Sequence, residues 1–134
     1  VGASVLIIDD NEANLELMRY LLDAFGHRAI TARDGEEGVA MARSADPGLV
    51  LCDIQMAGID GYEVLRRLRG DPRTAQVKVV AVTALAMAGD REKVLAAGFD
   101  GYLDKPIDPA TFVQRVEAYL PAGRAGGPGG GGPG

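Results

Sequence analysis

Val5-Leu6-Ile7-Ile8-Asp9-Asp10-Asn11 is a short apolar run closed by two adjacent carboxylates and an asparagine. A continuous run rich in β-branched residues is expected of a parallel strand covered on both faces. Asn11 offers a helix N-cap, and Leu15, Met18, Leu22 and Phe25 recur behind it at spacings of three and four. A helix therefore follows the strand, with its buried face drawn by those four residues, and Gly26 ends it.

The same alternation continues along the chain. A second strand is expected around Arg28 to Ala32. Asp34 with Glu37 reads as a capping box for a helix to about Ser44. The third strand, Leu49 to Ile54, follows Asp46-Pro47-Gly48, and a third helix runs from Gly61 to Leu68. A fourth strand covers Val77 to Thr83, and a helix from Asp90 to Ala97 stops at Gly98. The fifth strand is Gly101 to Asp104. Asp108-Pro109 supplies an N-cap and a proline at the first helical position, opening a helix to about Leu120. Five strand-then-helix units predict an α/β fold: a five-stranded parallel sheet in the order 2-1-3-4-5 with helices on both faces. A closed eight-unit barrel would need more chain.

Length and composition set the outer limits. With 134 residues, 47% apolar and 25% charged, the chain suits one soluble globular domain. Its net charge is −5. Without the segment from Pro121 on, whose one charged residue is Arg124, 13 basic residues face 19 acidic ones, giving −6. So acidic a surface lacks the basic footprint for direct nucleic-acid or anionic-membrane binding. Cys52 is the single cysteine, which fits a reducing cytoplasm and no intrachain disulfide. Val1 to Asp9 lacks the basic flank and length of a signal peptide. The apolar stretch Val79 to Gly89 is about half the roughly 20 residues of a membrane helix. We expect one domain over residues 1–120. Residues 121–134, almost all glycine and proline, read as a flexible tail or linker.

Polar residues interrupt the apolar strands in a pattern. Asp9 and Asp10 close the first strand, Asp53 the third and Thr83 the fourth, and Lys105 follows the fifth. In an open parallel sheet the C-terminal strand ends share one edge, and ligands bind where the strand order reverses. Two carboxylates about 5 Å apart repel by roughly 3 kcal/mol at an effective dielectric near 20. Three together call for a cation, and an all-oxygen set suits Mg²⁺. A carboxylate beside Mg²⁺ can attack phosphorus, with Lys105 neutralising a phosphoryl oxygen and the Thr83 hydroxyl donating to another.

The stretches Val5 to Asn11, Leu51-Cys52-Asp53-Ile54-Gln55-Met56, Val82-Thr83-Ala84 and Tyr102-Leu103-Asp104-Lys105-Pro106 closely resemble the receiver domains of two-component response regulators. The resemblance spans about residues 4–120 and implies the flavodoxin-like receiver fold. It implies that Asp53 is the phosphoacceptor, with Thr83 and Lys105 as its catalytic companions. Asp9, Asp10, Asp53 and the Gln55 carbonyl would hold Mg²⁺, Asp10 directly and Asp9 through water. Thr83 and Tyr102 would be the switch pair, and Pro106 would follow a cis bond. The implied phosphodonor is a histidine kinase or a histidine phosphotransfer protein, and the output is a downstream protein. A phosphorylation-dependent homodimer is compatible with this. Gln55 and Leu85 would tune self-dephosphorylation. Thr83 to Asp90 looks most like receivers of hybrid kinases and single-domain cell-cycle regulators. Ala57 stands where the family often carries proline, which leaves the loop after Asp53 less stiff.

Other readings weigh less. A phosphatase-like enzyme forming an aspartyl phosphate would carry Asp-x-Asp after its first strand, whereas Asp9 and Asp10 are adjacent. A receiver serving only as a binding module is disfavoured because every reactive residue is present. A nucleotide site lacks its glycine-rich phosphate loop. Cys52 is expected to pack in the core, on the face opposite Asp53. His27 is expected to cap the first helix or face solvent.

Overall fold

The computed structural model describes residues 4–84 and 89–120. The elements run β1 (Ser4–Ile8), α1 (Glu12–Ala24), β2 (Arg28–Ala32), α2 (Gly35–Ala45), β3 (Leu49–Cys52), α3 (Gly61–Arg69), β4 (Lys78–Thr83), α4 (Asp90–Ala96), β5 (Gly101–Asp104) and α5 (Phe112–Glu117). The strands form one parallel sheet in the order β2-β1-β3-β4-β5. Strand order reverses at β1, which lies between β2 and β3.

Side-chain alternation along the strands splits the core in two. Val5 and Ile7 of β1, Leu49 and Leu51 of β3, and Val80 and Val82 of β4 face α1 and α5, where they meet Leu15, Met18 and Val116. Leu6, Ile8, Val50, Cys52, Val79 and Ala81 face the other way, against α2, α3 and α4. Both faces of the three central strands are therefore buried, which explains why those strands read as unbroken apolar runs. Cys52 is fully buried, as expected.

Local signals set most helix starts. The Asn11 side chain accepts from the Asn14 N–H at 2.9 Å, and Asp34 accepts from the Glu37 N–H at 2.8 Å. Glu37 reaches back to the Arg33 N–H at 2.8 Å, one residue before the cap. Asp60 caps α3 through the Glu63 N–H at 2.9 Å.

Four expectations are corrected. Phe25 is not part of the buried stripe: α1 ends at Ala24, Phe25 is its C-cap, and its side chain is 64% exposed. Leu21 takes its place beside Leu22. The backbone of His27 caps α1, as one of the two expectations had it, but its side chain does not face solvent. The Gly26 N–H donates to the Asp23 carbonyl and the His27 N–H to the Leu22 carbonyl, with Gly26 at φ +85°. Those two bonds are the Schellman arrangement, which folds the second residue past the cap onto the helix's buried side. His27 is accordingly buried, with Nε2 2.7 Å from Glu117 Oε2 on α5. Finally, α5 begins at Phe112 with Thr111 as its N-cap, not at Pro109. The Asp108 carboxylate accepts from the Ala110 N–H at 3.0 Å, and its carbonyl from both Thr111 and Phe112. This local Asx turn uses the capping group before the helix proper starts. β3 also ends at Cys52, so Ile54 lies in the loop beyond it.

Gly61 marks a close approach. A Cβ there would lie 2.5 Å from the Asp53 carbonyl oxygen and 2.8 Å from Ile54 Cα. Both are backbone atoms that cannot swing aside. Gly61→Ala is predicted to destabilise the fold by about 1–3 kcal/mol through overpacking. Urea denaturation would show a lower midpoint at unchanged slope; an unchanged midpoint would contradict the contact.

Candidate functional site

The backbone brings the polar residues together before any side chain acts. The Asp53 N–H donates to the Ile8 carbonyl at 2.9 Å, and the Asp9 N–H to the Ala32 carbonyl at 3.1 Å. The parallel ladder thus runs one residue past each strand and sets Asp53 beside Asp9. On the far side, the Lys105 N–H donates to the Thr83 carbonyl at 3.0 Å. Asp9 and Asp53 continue the side-chain parity of the face covered by α1 and α5, as Lys105 does after Leu103. Thr83 and Tyr102 have the opposite parity, and Tyr102 packs with the cluster under α4.

Carboxylate oxygens of Asp9, Asp10 and Asp53 all lie within 4.8 Å of one another. Asp9 and Asp53 are buried and Asp10 is exposed. Lys105 Nζ sits 2.8 Å from Asp9 Oδ2 and 3.1 Å from Asp53 Oδ2. Asp9 Oδ1 accepts from the Asn11 N–H at 2.8 Å, and Asp10 Oδ2 accepts from the Ala57 N–H at 3.1 Å. The Gln55 backbone also hydrogen-bonds Asp53.

One ammonium against three carboxylates leaves the cluster short of positive charge. Burial, followed by the Asp9 charge, pushes the Asp53 carboxyl above the ordinary aspartate value; Lys105 and Gln55 offset this only in part. Burial pulls the Lys105 ammonium down, but its bonds and charge pairs with Asp9 and Asp53 outweigh that and raise it overall. The Cys52 thiol is raised by burial and then by the charges of Asp53 and Asp9, which keeps it neutral and inert. The donor set is all oxygen, partly buried and deficient in charge, and so fits a small hard cation such as Mg²⁺.

The structure therefore gathers Asp9, Asp10, Asp53 and Lys105 in one cleft. Gln55 stands on its rim, exposed. Thr83, the last residue of β4, and Tyr102, the second of β5, are buried, and the Lys105–Pro106 bond is cis. Leu85 falls outside the described residues. Two participants escaped the sequence reading: the Ala57 amide and Gly61. An alanine announces nothing about its backbone N–H. Gly61 directly after a capping aspartate could have signalled a close approach.

With this cleft at the strand-order reversal of a five-stranded sheet, comparison with known proteins is decisive. The family model described as "Response regulator receiver domain" matches residues 5–117, and the chain belongs to that family. Among individual proteins, it is 40% identical over 117 residues to the polar-differentiation response regulator DivK of Brucella ovis, covering 87% of this chain and 95% of that protein. Among solved structures, chemotaxis protein CheY4 of Vibrio cholerae superposes with a TM-score of 0.83 at 25% identity, covering 90% of this chain and all of the other. The receiver domain of sensor histidine kinase PA1611 from Pseudomonas aeruginosa, solved with a magnesium ion in its active-site cleft, gives 0.80 at 30% identity over 89% and 98% of the two chains.

The raised Asp53 carboxyl has a consequence for stability. The folded protein holds this proton more tightly than the unfolded chain. Asp53 thus favours folding below the ordinary aspartate range, and that contribution is lost as pH rises through its folded-state value. Asp53→Asn is predicted to raise the thermal midpoint of the metal-free protein at pH 7 by a few degrees. The gain should shrink as pH falls towards about 4. A lower midpoint at pH 7, followed by circular dichroism, would contradict the charge balance described.

Proposed function

We propose that the protein is a phosphorylation switch in which Asp53 accepts a phosphoryl group from the phosphohistidine of a histidine kinase or histidine phosphotransfer protein. The observation that carries this reading is the cluster itself: three carboxylates within 4.8 Å of one another, two of them sharing one lysine. Such crowding costs folding energy and adds nothing to packing. The magnesium ion of the Pseudomonas receiver domain supports Mg²⁺ as the counter-ion here. Asp9, Asp10, Asp53 and the Gln55 carbonyl would hold it. When bound, the ion neutralises the cluster and the oxygens of the incoming phosphoryl group.

The chain's own residues then have defined work. Asp53 presents a carboxylate oxygen, which forms a bond to phosphorus as the donor's N–P bond breaks. The electron pair stays on the imidazole nitrogen, which takes up a proton. Lys105, 3.1 Å from Asp53 Oδ2, exchanges part of its carboxylate pairing for a phosphoryl oxygen. Thr83, whose carbonyl accepts from the Lys105 N–H, supplies a hydroxyl to another. Its movement draws Tyr102 with it, because the two share the face under α4. The surface of α4, β5 and α5 is then the readout for a partner protein. In this reading the receiver occupies residues 1–120 and acts through protein contacts in the cytoplasm, with residues 121–134 as tail or linker; the family match over residues 5–117 supports that division. No described helix is long and apolar enough to cross a membrane.

Incubation with Mg²⁺ and a small acyl phosphate or phosphoramidate is predicted to give an acid-stable, base-labile phosphoryl adduct by intact mass. Asp53→Asn abolishes it, chelation of Mg²⁺ suppresses it, and Lys105→Ala slows it by about tenfold or more. An adduct surviving in Asp53→Asn would reject the acceptor. Multiple turnover of phosphate monoesters would instead indicate an enzyme.

A further inference from the structure

Lys105 answers the charges of Asp9 and Asp53, and its two close contacts leave Asp10 to be held in another way. Asp10 is exposed, so without a tether its carboxylate would turn freely into water. The Ala57 N–H supplies that tether, donating to Asp10 Oδ2 at 3.1 Å across 47 positions of sequence. The Ala57 side chain is exposed and takes no part. Gly58, at φ +81°, turns the chain immediately afterwards. This bond depends on residue 57 having a backbone N–H, which any residue but proline provides.

We infer that the Ala57 backbone amide is a positioning group for the metal site: it holds Asp10 towards Asp9 and Asp53 and so sets the affinity for Mg²⁺. This rests on the reading of those three aspartates as Mg²⁺ ligands. A carboxylate has lone pairs enough to keep an amide on one oxygen and offer the other to a cation. Fixing its rotamer beforehand removes an ordering cost that would otherwise fall on metal binding. The same bond ties metal occupancy to the segment between β3 and α3. Met56 and Ala57 of that segment, together with Asp10, wall a cavity of about 550 Å³ that reaches Tyr62 and Lys93 on α3 and α4. Lys93 Nζ lies 5.6 Å above the Tyr62 ring on that far side.

The test compares Ala57→Pro, which deletes the donor, with Ala57→Gly, which keeps it, using the full chain and Mg²⁺ titrations by calorimetry. Ala57→Pro should bind Mg²⁺ about 3- to 10-fold more weakly than wild type, and Ala57→Gly within about 2-fold. In the wild-type protein the Ala57 amide resonance should shift on Mg²⁺ addition, and in metal-free Asp10→Ala it should move upfield as the hydrogen bond is lost. A folded Ala57→Pro with wild-type affinity overturns the inference and leaves the metal site standing. An Ala57 resonance indifferent to Asp10→Ala overturns it even if the proline variant does not fold. Failure of wild type to bind Mg²⁺ overturns both the inference and the metal site beneath it.

Discussion

Three carboxylates that repel one another are held within 4.8 Å by a sheet edge and one lysine, and the rest of the molecule can be understood as what makes that crowding tolerable. Lys105 bridges Asp9 and Asp53, amides of Asn11 and Gln55 add partial positive charge, and the Ala57 amide restrains Asp10. Even so, the Asp53 carboxyl remains raised by burial and by Asp9. A buried excess of negative charge of this kind is a standing attraction for a small cation such as Mg²⁺.

The fold supplies the stiffness that such a site requires. Asp9 and Asp53 each extend a buried strand by one residue, and each backbone N–H is committed to the neighbouring strand. Neither residue can retreat from the other without breaking the ladder. Behind Asp53, α3 comes so close at Gly61 that even a methyl group would collide with the Asp53 carbonyl. The parity of the strands sends Asp9, Asp53 and Lys105 to one face and Thr83 and Tyr102 to the other. The two faces are joined by backbone, where the Lys105 N–H donates to the Thr83 carbonyl at 3.0 Å.

Much of this is legible in the sequence because it rests on unbroken apolar runs in the central strands and on the polar residues that interrupt them. Five strand-length runs define the sheet and its order, and the polar residues closing the first, third and fourth and following the fifth define the composition of the cleft. The misreadings are of a different kind. Phe25 continues the helical spacing, but the helix has already ended there, and spacing alone does not say where hydrogen bonding stops. The burial of the His27 ring is not announced by the sequence, because its partner, Glu117, lies 90 positions away on another element. Asp108 looks like an N-cap, yet its carboxylate is spent on an Asx turn instead. The Ala57 amide is invisible because a backbone donor has no signature in the side chain that marks its position. Contacts within one element can be read from the chain; contacts between backbone and a remote side chain cannot.

If this crowded edge exists to carry a phosphoryl group, the group must sit on Asp53 and nowhere else. The most direct test is to phosphorylate the protein in Mg²⁺, reduce the acyl phosphate with borohydride, and locate the resulting homoserine by peptide mass spectrometry. Homoserine at position 53, and at no other aspartate, is the predicted outcome. Homoserine at Asp9 or Asp10, or none anywhere after Mg²⁺ binding has been verified, would contradict it.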